Sequence, residues 1–146
     1  MEIFSNNSQA PKVADGIYHI RVTHIENKKR IIDGYLVEND TCNTLSRSSS
    51  KKGLFRVVRN HFGDGTISLF SLTMNNYVRI DRSLFGFYDV GEIAKFELHK
   101  PEKPSNGAVK LRVGEKRQFL SCNIQTGGWS VERYEPLGSL FKFMPV

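Results

Sequence analysis

The stretch Asp15-Gly16-Ile17-Tyr18-His19-Ile20 recurs twice along the chain, as Asp64-Gly65-Thr66-Ile67-Ser68-Leu69 and as Asn106-Gly107-Ala108-Val109-Lys110-Leu111. Each copy opens with Asp-Gly or Asn-Gly, a dipeptide that tolerates the positive φ of a tight turn. Apolar and polar residues then alternate, which is typical of a half-buried β-strand. The recurrence predicts a β protein built from three similar units.

Further strand-like segments repeat at nearly the same spacing. The second set begins at positions 42 residues apart, Tyr35, Tyr77 and Phe119. The third set is marked by phenylalanines at intervals of 41 and 45 residues, Phe55, Phe96 and Phe141. Between these two sets, each unit has one more strand candidate, in residues 43–48, 83–88 and 128–134. Each unit therefore contains four predicted strands.

Three four-stranded units are too few for a propeller, which has at least four blades. They match a β-trefoil, in which three hairpins cap a six-stranded barrel. We predict an all-β chain with an N-terminal tail, 1–14, and one β-trefoil domain, 15–146. Its repeats span about 15–61, 62–103 and 104–146. The first unit is about seven residues longer than the second, and we predict a long loop over residues 23–33.

The predicted core consists of the apolar positions that match between units, because layers of such side chains fill a barrel interior. These positions are Tyr18, Ile20, Leu36, Phe55, Val57, Ile67, Leu69, Val78, Phe96, Leu98, Val109, Leu111, Leu120, Phe141 and Phe143.

Composition narrows the class of protein. The chain has 146 residues, 39% of them hydrophobic and 25% charged, which excludes a disordered chain and predicts no transmembrane segment. Its first residues contain no apolar signal-peptide core, so we expect a cytoplasmic protein. Two cysteines, Cys42 and Cys122, do not form a disulfide framework. For Cys122 we expect a buried or half-buried, unreactive thiol.

Motifs for catalysis are missing from the sequence. There is no Gly-x-Ser-x-Gly, His-Glu-x-x-His or P-loop pattern. The four histidines, His19, His24, His61 and His99, have no nearby cysteine pair that would complete a zinc site, and we interpret them as solvated residues. We therefore predict a protein that is not an enzyme and uses no cofactor or metal.

Basic residues indicate the partner. The net charge is +6, and cations cluster in three predicted connections: Lys28, Lys29 and Arg30; Arg47, Lys51 and Lys52; Lys116 and Arg117. These clusters suit an acidic protein surface, a phosphate or an anionic lipid. The alternative interpretation is that they are simply solvated residues of turns. No aromatic residues interleave them to stack bases, so we predict no specific nucleic-acid binding.

Trp129 has two interpretations. It follows two glycines and is either a platform for stacking a sugar or the large core residue of its strand. The core interpretation is favoured, because tryptophan is highly buried on average.

The repeated pattern resembles the fascin-like β-trefoil group. The third unit is closest, from NGAVKLRVGEKRQFLSCN through GGWSVERYE to SLFKF. The resemblance covers residues 15–146 and implies an actin-binding or cytoskeleton-binding module. Fascins carry four trefoils in tandem, whereas this chain carries one.

Two other trefoil groups give alternative functions. Amaranthin-type lectins share the rhythm of a strand followed by an aromatic-Leu pair, so a glycan is the alternative partner. Mycocypin inhibitors begin similarly to Val13-Ala14-Asp15-Gly16-Ile17-Tyr18, so protease inhibition through a loop is the third. The Gln-x-Trp motif of ricin-type lectins is missing.

Overall fold

The computed structural model describes residues 12–26, 30–37, 44–46, 52–59, 65–81, 84–87, 89–103, 106–113, 117–122 and 129–146. These residues form an all-β structure, as predicted, with one 3-10 turn at Glu135–Leu137. The strands are β1 (Gly16–Glu26), β2 (Arg30–Val37), β3 (Thr44–Ser46), β4 (Phe55–Arg59), β5 (Ile67–Ser71), β6 (Asn76–Tyr77), β7 (Arg79–Asp81), β8 (Leu84–Gly86), β9 (Glu92–Ile93), β10 (Phe96–His99), β11 (Lys110–Val113), β12 (Gln118–Cys122), β13 (Trp129–Glu132) and β14 (Leu140–Pro145). No helix in the described ranges is long and apolar enough to cross a membrane.

The predicted strand positions in all three units coincide with observed strands. The second unit differs in detail, because its second strand is interrupted at Val78 between β6 and β7. Val78 is fully buried, and its backbone bonds to Leu69 and Ala94 instead of continuing the ladder. The short strand β9 was not predicted from the sequence.

Strand β1 pairs with three other strands. Its first residues pair with β4, its middle with β14 and its last with β2, all antiparallel. From β4 the pairing continues through β5 and β10 to β11. Val109, directly before β11, exchanges two backbone hydrogen bonds with Phe141 of β14, with N–O distances of 2.8 and 2.7 Å. The pairs β2–β3, β7–β8 and β12–β13 are antiparallel hairpins, one from each unit.

The loop predicted over residues 23–33 is wrong. Thr23 pairs with Asp33, His24 with Ile32, and Glu26 with Arg30, so the extra residues lengthen two paired strands. We call this extension, residues 23–33, the hairpin arm. The apolar-polar alternation that runs as far as Ile20 continues only to Val22 and Thr23, because His24 and Ile25 reverse its phase.

The predicted core is largely confirmed. Thirteen of the fifteen positions are buried, and Leu98 and Phe143 are partly buried against the same cluster. Further buried residues complete it: Val22, Phe85, Phe87, Ala94, Val113, Phe119 and Cys122. Phe85 lies between two units, with its ring 6.4 Å from Phe96 and 5.5 Å from Trp129.

The turn chemistry is confirmed in the second and third units, whereas Gly16 of the first unit is extended, with φ of 159°, and already pairs with Val57 in the sheet. Gly65 has φ of 81°, and the consecutive Asn106 and Gly107 have φ of 50° and 83°. Two successive positive φ values are the conformation for which Asn-Gly is favoured.

Strict alternation is wrong in β5 and β11, where Ser68 and Lys110 occupy predicted polar positions and are buried. The 3-10 turn is responsible at Lys110. The Lys110 ammonium donates to the carbonyl oxygens of Glu135, at 3.0 Å, and of Gly138, and lies 3.6 Å from the Glu135 carboxylate. Burial lowers the Lys110 pKa despite this acidic neighbour. The lysine thus anchors the turn to β11.

Candidate functional site

Three of the eight predicted basic residues lie in the described part of the chain. Lys28, Lys29, Arg47, Lys51 and Lys116 fall outside it. Arg30 is the first residue of β2 and pairs with Glu26 at the end of the hairpin arm. Lys52 and Arg117 are described with their side chains.

Lys52 is half-buried and lies against the β2–β3 hairpin. Its Nζ is 4.8 Å from the centre of the Tyr35 ring, within cation–π range. Tyr35 follows Arg30 by five residues on the same strand, so the two positions are about 17 Å apart at the usual rise per residue. Strand β2 therefore has cationic positions near both of its ends.

Arg117 belongs to a different part of the molecule. It is exposed, directly precedes β12 and has a positive φ of 52°. Among the described residues, no hydrogen bond, ion pair or ring contact joins Arg117 to Lys52, and the two residues belong to different units.

Trp129 packs against the core. It starts β13 opposite Cys122, is partly buried against the central cluster, and has Phe85 as its ring neighbour. Its indole N–H is buried and has no hydrogen-bond partner among the described residues. Partial burial agrees with the core interpretation, and the sugar-stacking alternative stays a prediction.

The interpretation of the histidines as solvated residues is wrong for the three that the structure describes. The His19 Nδ1 lies 2.9 Å from the carbonyl oxygen of Gly53, and the His24 Nδ1 lies 3.3 Å from the hydroxyl of Ser139. His99 makes an edge-to-face contact with Phe119 at 5.1 Å. These three residues are partly buried because both faces of their strands carry neighbours; His61 falls outside the described residues.

Cys122 is a fully buried thiol, as expected. Burial raises its pKa above the ordinary 9.0, which suppresses the nucleophilic thiolate. Its backbone N–H donates to the Ser139 hydroxyl at 2.9 Å. Cys42 falls outside the described residues.

Sequence analysis missed an open polar groove of about 340 Å³. It lies between the base of the hairpin arm, strand β14 and the Asn106-Gly107 turn. Its lining residues are Arg21, Thr23, Asp33, Asn106, Ala108, Leu140 and Lys142. They come from the first and third units, so no single repeat could have indicated the groove.

The groove has a fixed acid between two cations. Asp33 accepts hydrogen bonds from Thr23 Oγ1 at 2.5 Å and from Arg21 Nη2 at 3.2 Å. Lys142 lies directly opposite Arg21 in the β1–β14 register. No ion pair joins Lys142 to another described residue. The formal charges of Arg21, Lys142 and Asp33 therefore sum to one positive unit. The Lys142 ammonium is available to a ligand.

The described residues contain no group of three or more His, Cys, Asp or Glu side chains arranged to hold a metal ion.

Comparison with known proteins does not assign the chain to a family. No protein-family model matches the sequence, and no curated protein matches it. The resemblance to fascin-like β-trefoils therefore rests on the repeated motifs alone.

Proposed function

We propose that the chain is a non-catalytic binding module of β-trefoil architecture, in the fascin-like group. The support is the order of strand pairing. It runs from β1 through β4, β5, β10 and β11, and the Val109–Phe141 bridge and β14 lead back to β1. Six strands in this order, with one hairpin per unit outside it, are compatible with a trefoil, and the three-unit repeat of the sequence supports the same architecture. An experimental structure whose units do not superpose about one threefold axis would contradict this architecture.

The partner in this proposal is an acidic protein surface, with actin as the first one to test. The observation that carries it is the hairpin arm, which separates the first unit from the other two. Because Glu26 pairs with Arg30, the connecting residues Asn27, Lys28 and Lys29 join the far ends of β1 and β2. Lys28, Lys29 and Arg30 are therefore consecutive cations in the connection and at the first position of β2, and Lys52 lies near the other end of that strand.

The test is charge reversal of Lys28, Lys29 and Arg30 to Glu. We expect loss of co-sedimentation with actin filaments, and a flatter dependence of any remaining binding on salt. The melting temperature should stay nearly unchanged, because exposed charges contribute little to stability. The matched control is reversal of Lys100, Lys103 and Arg133, which are exposed and lie outside the first unit.

Two results would contradict the proposed interface. One is unchanged actin binding by the arm variant. The other is an equal loss in the control variant, which would indicate that net charge alone drives the association.

A further inference from the structure

We infer that the groove between the hairpin arm and β14 binds a sugar acid: a ligand of monosaccharide size with one carboxylate beside several hydroxyl groups. This site is distinct from the arm's cations and does not rest on the acidic-protein proposal. A volume of about 340 Å³ falls at the lower end of the roughly 300–1,000 Å³ of small-molecule sites.

The two cations determine the ligand's charge. Arg21 and Lys142 face each other across the β1–β14 ladder, and like charges directly opposite each other destabilise a sheet. Asp33 offsets the charge on Arg21, while no ion pair with a described residue offsets that on Lys142. A ligand carboxylate beside Lys142 would relieve this repulsion and form a charge-assisted hydrogen bond.

The acid determines the rest of the chemistry. Asp33 accepts hydrogen bonds from Thr23 and Arg21, and each carboxylate oxygen has a further lone pair. An ion that has only acceptors, such as acetate, would be repelled by Asp33. A sugar acid brings hydroxyl donors that can bind it. The Asn106 amide, which also lines the groove, offers both a donor and an acceptor.

The groove also has an apolar portion. Ala108 and Leu140 are partly exposed and line it between the polar groups. Sugar rings present C–H faces beside their hydroxyl groups, so this mixed lining matches such a ring better than it matches an inorganic anion.

The experiment is a titration followed by amide NMR shifts, with glucuronate, glucose and acetate at equal ionic strength. We expect glucuronate to bind more tightly than either of the other probes and to shift the amides of Arg21, Thr23 and Lys142. Weak saturable binding by glucose alone, or equal affinity for acetate and glucuronate, would overturn the inference.

Two substitutions test the assigned roles. Lys142→Gln should weaken glucuronate binding about tenfold, the effect of one hydrogen bond to a charged group. Asp33→Asn should instead raise acetate affinity and reduce the preference for glucuronate over acetate. Arg56→Gln is the control, because Arg56 is an exposed cation on β4, on the other side of β1.

The outcomes separate the possible explanations. Lys142 is exposed, so Lys142→Gln should fold normally, and unchanged glucuronate affinity in this variant would overturn the inference. Equal weakening by Arg56→Gln would do the same, because it would show attraction to net charge and no defined site. Reversal of Lys28, Lys29 and Arg30 leaves the groove residues intact, so the outcome here is independent of actin binding.

Discussion

The first unit and the other two units use the same strand junction in different ways. In the second unit, Ser71 pairs with Asn76 across a four-residue turn that ends at Asn75, with φ of 53°. In the third unit, Arg117 ends the corresponding connection with φ of 52°. Asn75 and Arg117 are 42 residues apart, which is the repeat spacing. The first unit has the paired hairpin arm there instead.

The arm adds chemistry without changing the core. Val22, at its base, is fully buried, whereas Thr23 and Asp33 line the groove. The same insertion therefore supplies the groove's acid and hydroxyl, and its sequence also contains three consecutive cations, Lys28, Lys29 and Arg30. Loops and insertions on a rigid scaffold commonly carry function in this way.

The largest effect should come from the core that the three units share. Phe96 is fully buried and pairs in register with Ile67 and Val113. Phe96→Ala should lower the free energy of unfolding by about 3–5 kcal/mol, because it removes a large side chain and leaves a cavity. Urea denaturation followed by tryptophan fluorescence would measure the loss.

Tyr134→Ala is the matched control, since Tyr134 is an aromatic residue with 72% of its surface exposed. It should change stability by less than about 0.5 kcal/mol. A loss below 1 kcal/mol for Phe96→Ala would show that this position does not belong to the core.

Removing the arm should have a smaller effect on stability and a large one on binding. Replacement of residues 24–32 by Asn-Gly would leave Thr23 and Asp33 as the pair flanking a two-residue turn. The excised part includes the His24–Ser139 hydrogen bond, and such a bond contributes about 0.5–1.5 kcal/mol. We expect the variant to fold, lose actin binding and retain glucuronate binding.

That variant makes the first unit resemble the second. Thermal melting and actin co-sedimentation would provide the readouts, with glucuronate titration reporting the groove. If the shortened protein does not fold, the arm is part of the scaffold and is not an addition to a core that the three units share.

The repeat-matched residues allowed prediction of the strands and most of the core. Tyr18, Ile67 and Val109 occupy one register of the repeat, and all three are buried. Local alternation sufficed at these positions, because side-chain direction in a strand has a period of two. The buried Lys110 could not be predicted, since its burial depends on the 3-10 turn 25 residues later.

The groove was beyond sequence reasoning for a related reason. Its residues come from two units, and Arg21 meets Lys142 through a pairing of the first and last strands. Nothing local in the sequence specifies this register. The basic clusters were visible in the sequence, but the interpretation of residues 23–33 as a loop did not predict that Arg30 begins a paired strand.

Replacing Cys42 of the first unit allows the reactivity of Cys122, in the third unit, to be measured by itself. In a Cys42→Ser background, Cys122 should react with an aromatic disulfide reagent only as fast as the protein unfolds, because the thiol is fully buried. Phe96→Ala in the same background should accelerate labelling. Rapid labelling of the folded Cys42→Ser protein would show that Cys122 is accessible.

Cys122 also predicts how stability depends on pH. Its folded-state pKa is raised above the ordinary 9.0, so its contribution is present in full below pH 9 and is lost as pH rises further. The pKa of Lys110 is lowered, so this residue has the opposite effect: its contribution makes stability rise with pH up to the ordinary lysine pKa of 10.5. Lys110 contributes equally to the pH dependence of Cys42→Ser and of Cys42→Ser/Cys122→Ala, so the difference between these two variants reports Cys122 alone. The first should lose more unfolding free energy between pH 8 and pH 10, and equal slopes would contradict the assignment.

The smallest effect concerns the junction at which the units differ. Arg117 and Asn75 share a positive φ, but a residue such as asparagine adopts this conformation more readily than arginine. Arg117→Asn should therefore stabilise the protein by about 0.5–1 kcal/mol, a fraction of the usual strain at such positions. The reciprocal Asn75→Arg should destabilise it by a similar amount, as measured by urea denaturation.

A gain in stability together with weaker actin binding would indicate that Arg117 is retained for its charge at a cost in backbone strain. A gain with unchanged binding would confine the partner surface to the first unit, and loss of stability in Arg117→Asn would show that Arg117 makes contacts that outweigh its strain.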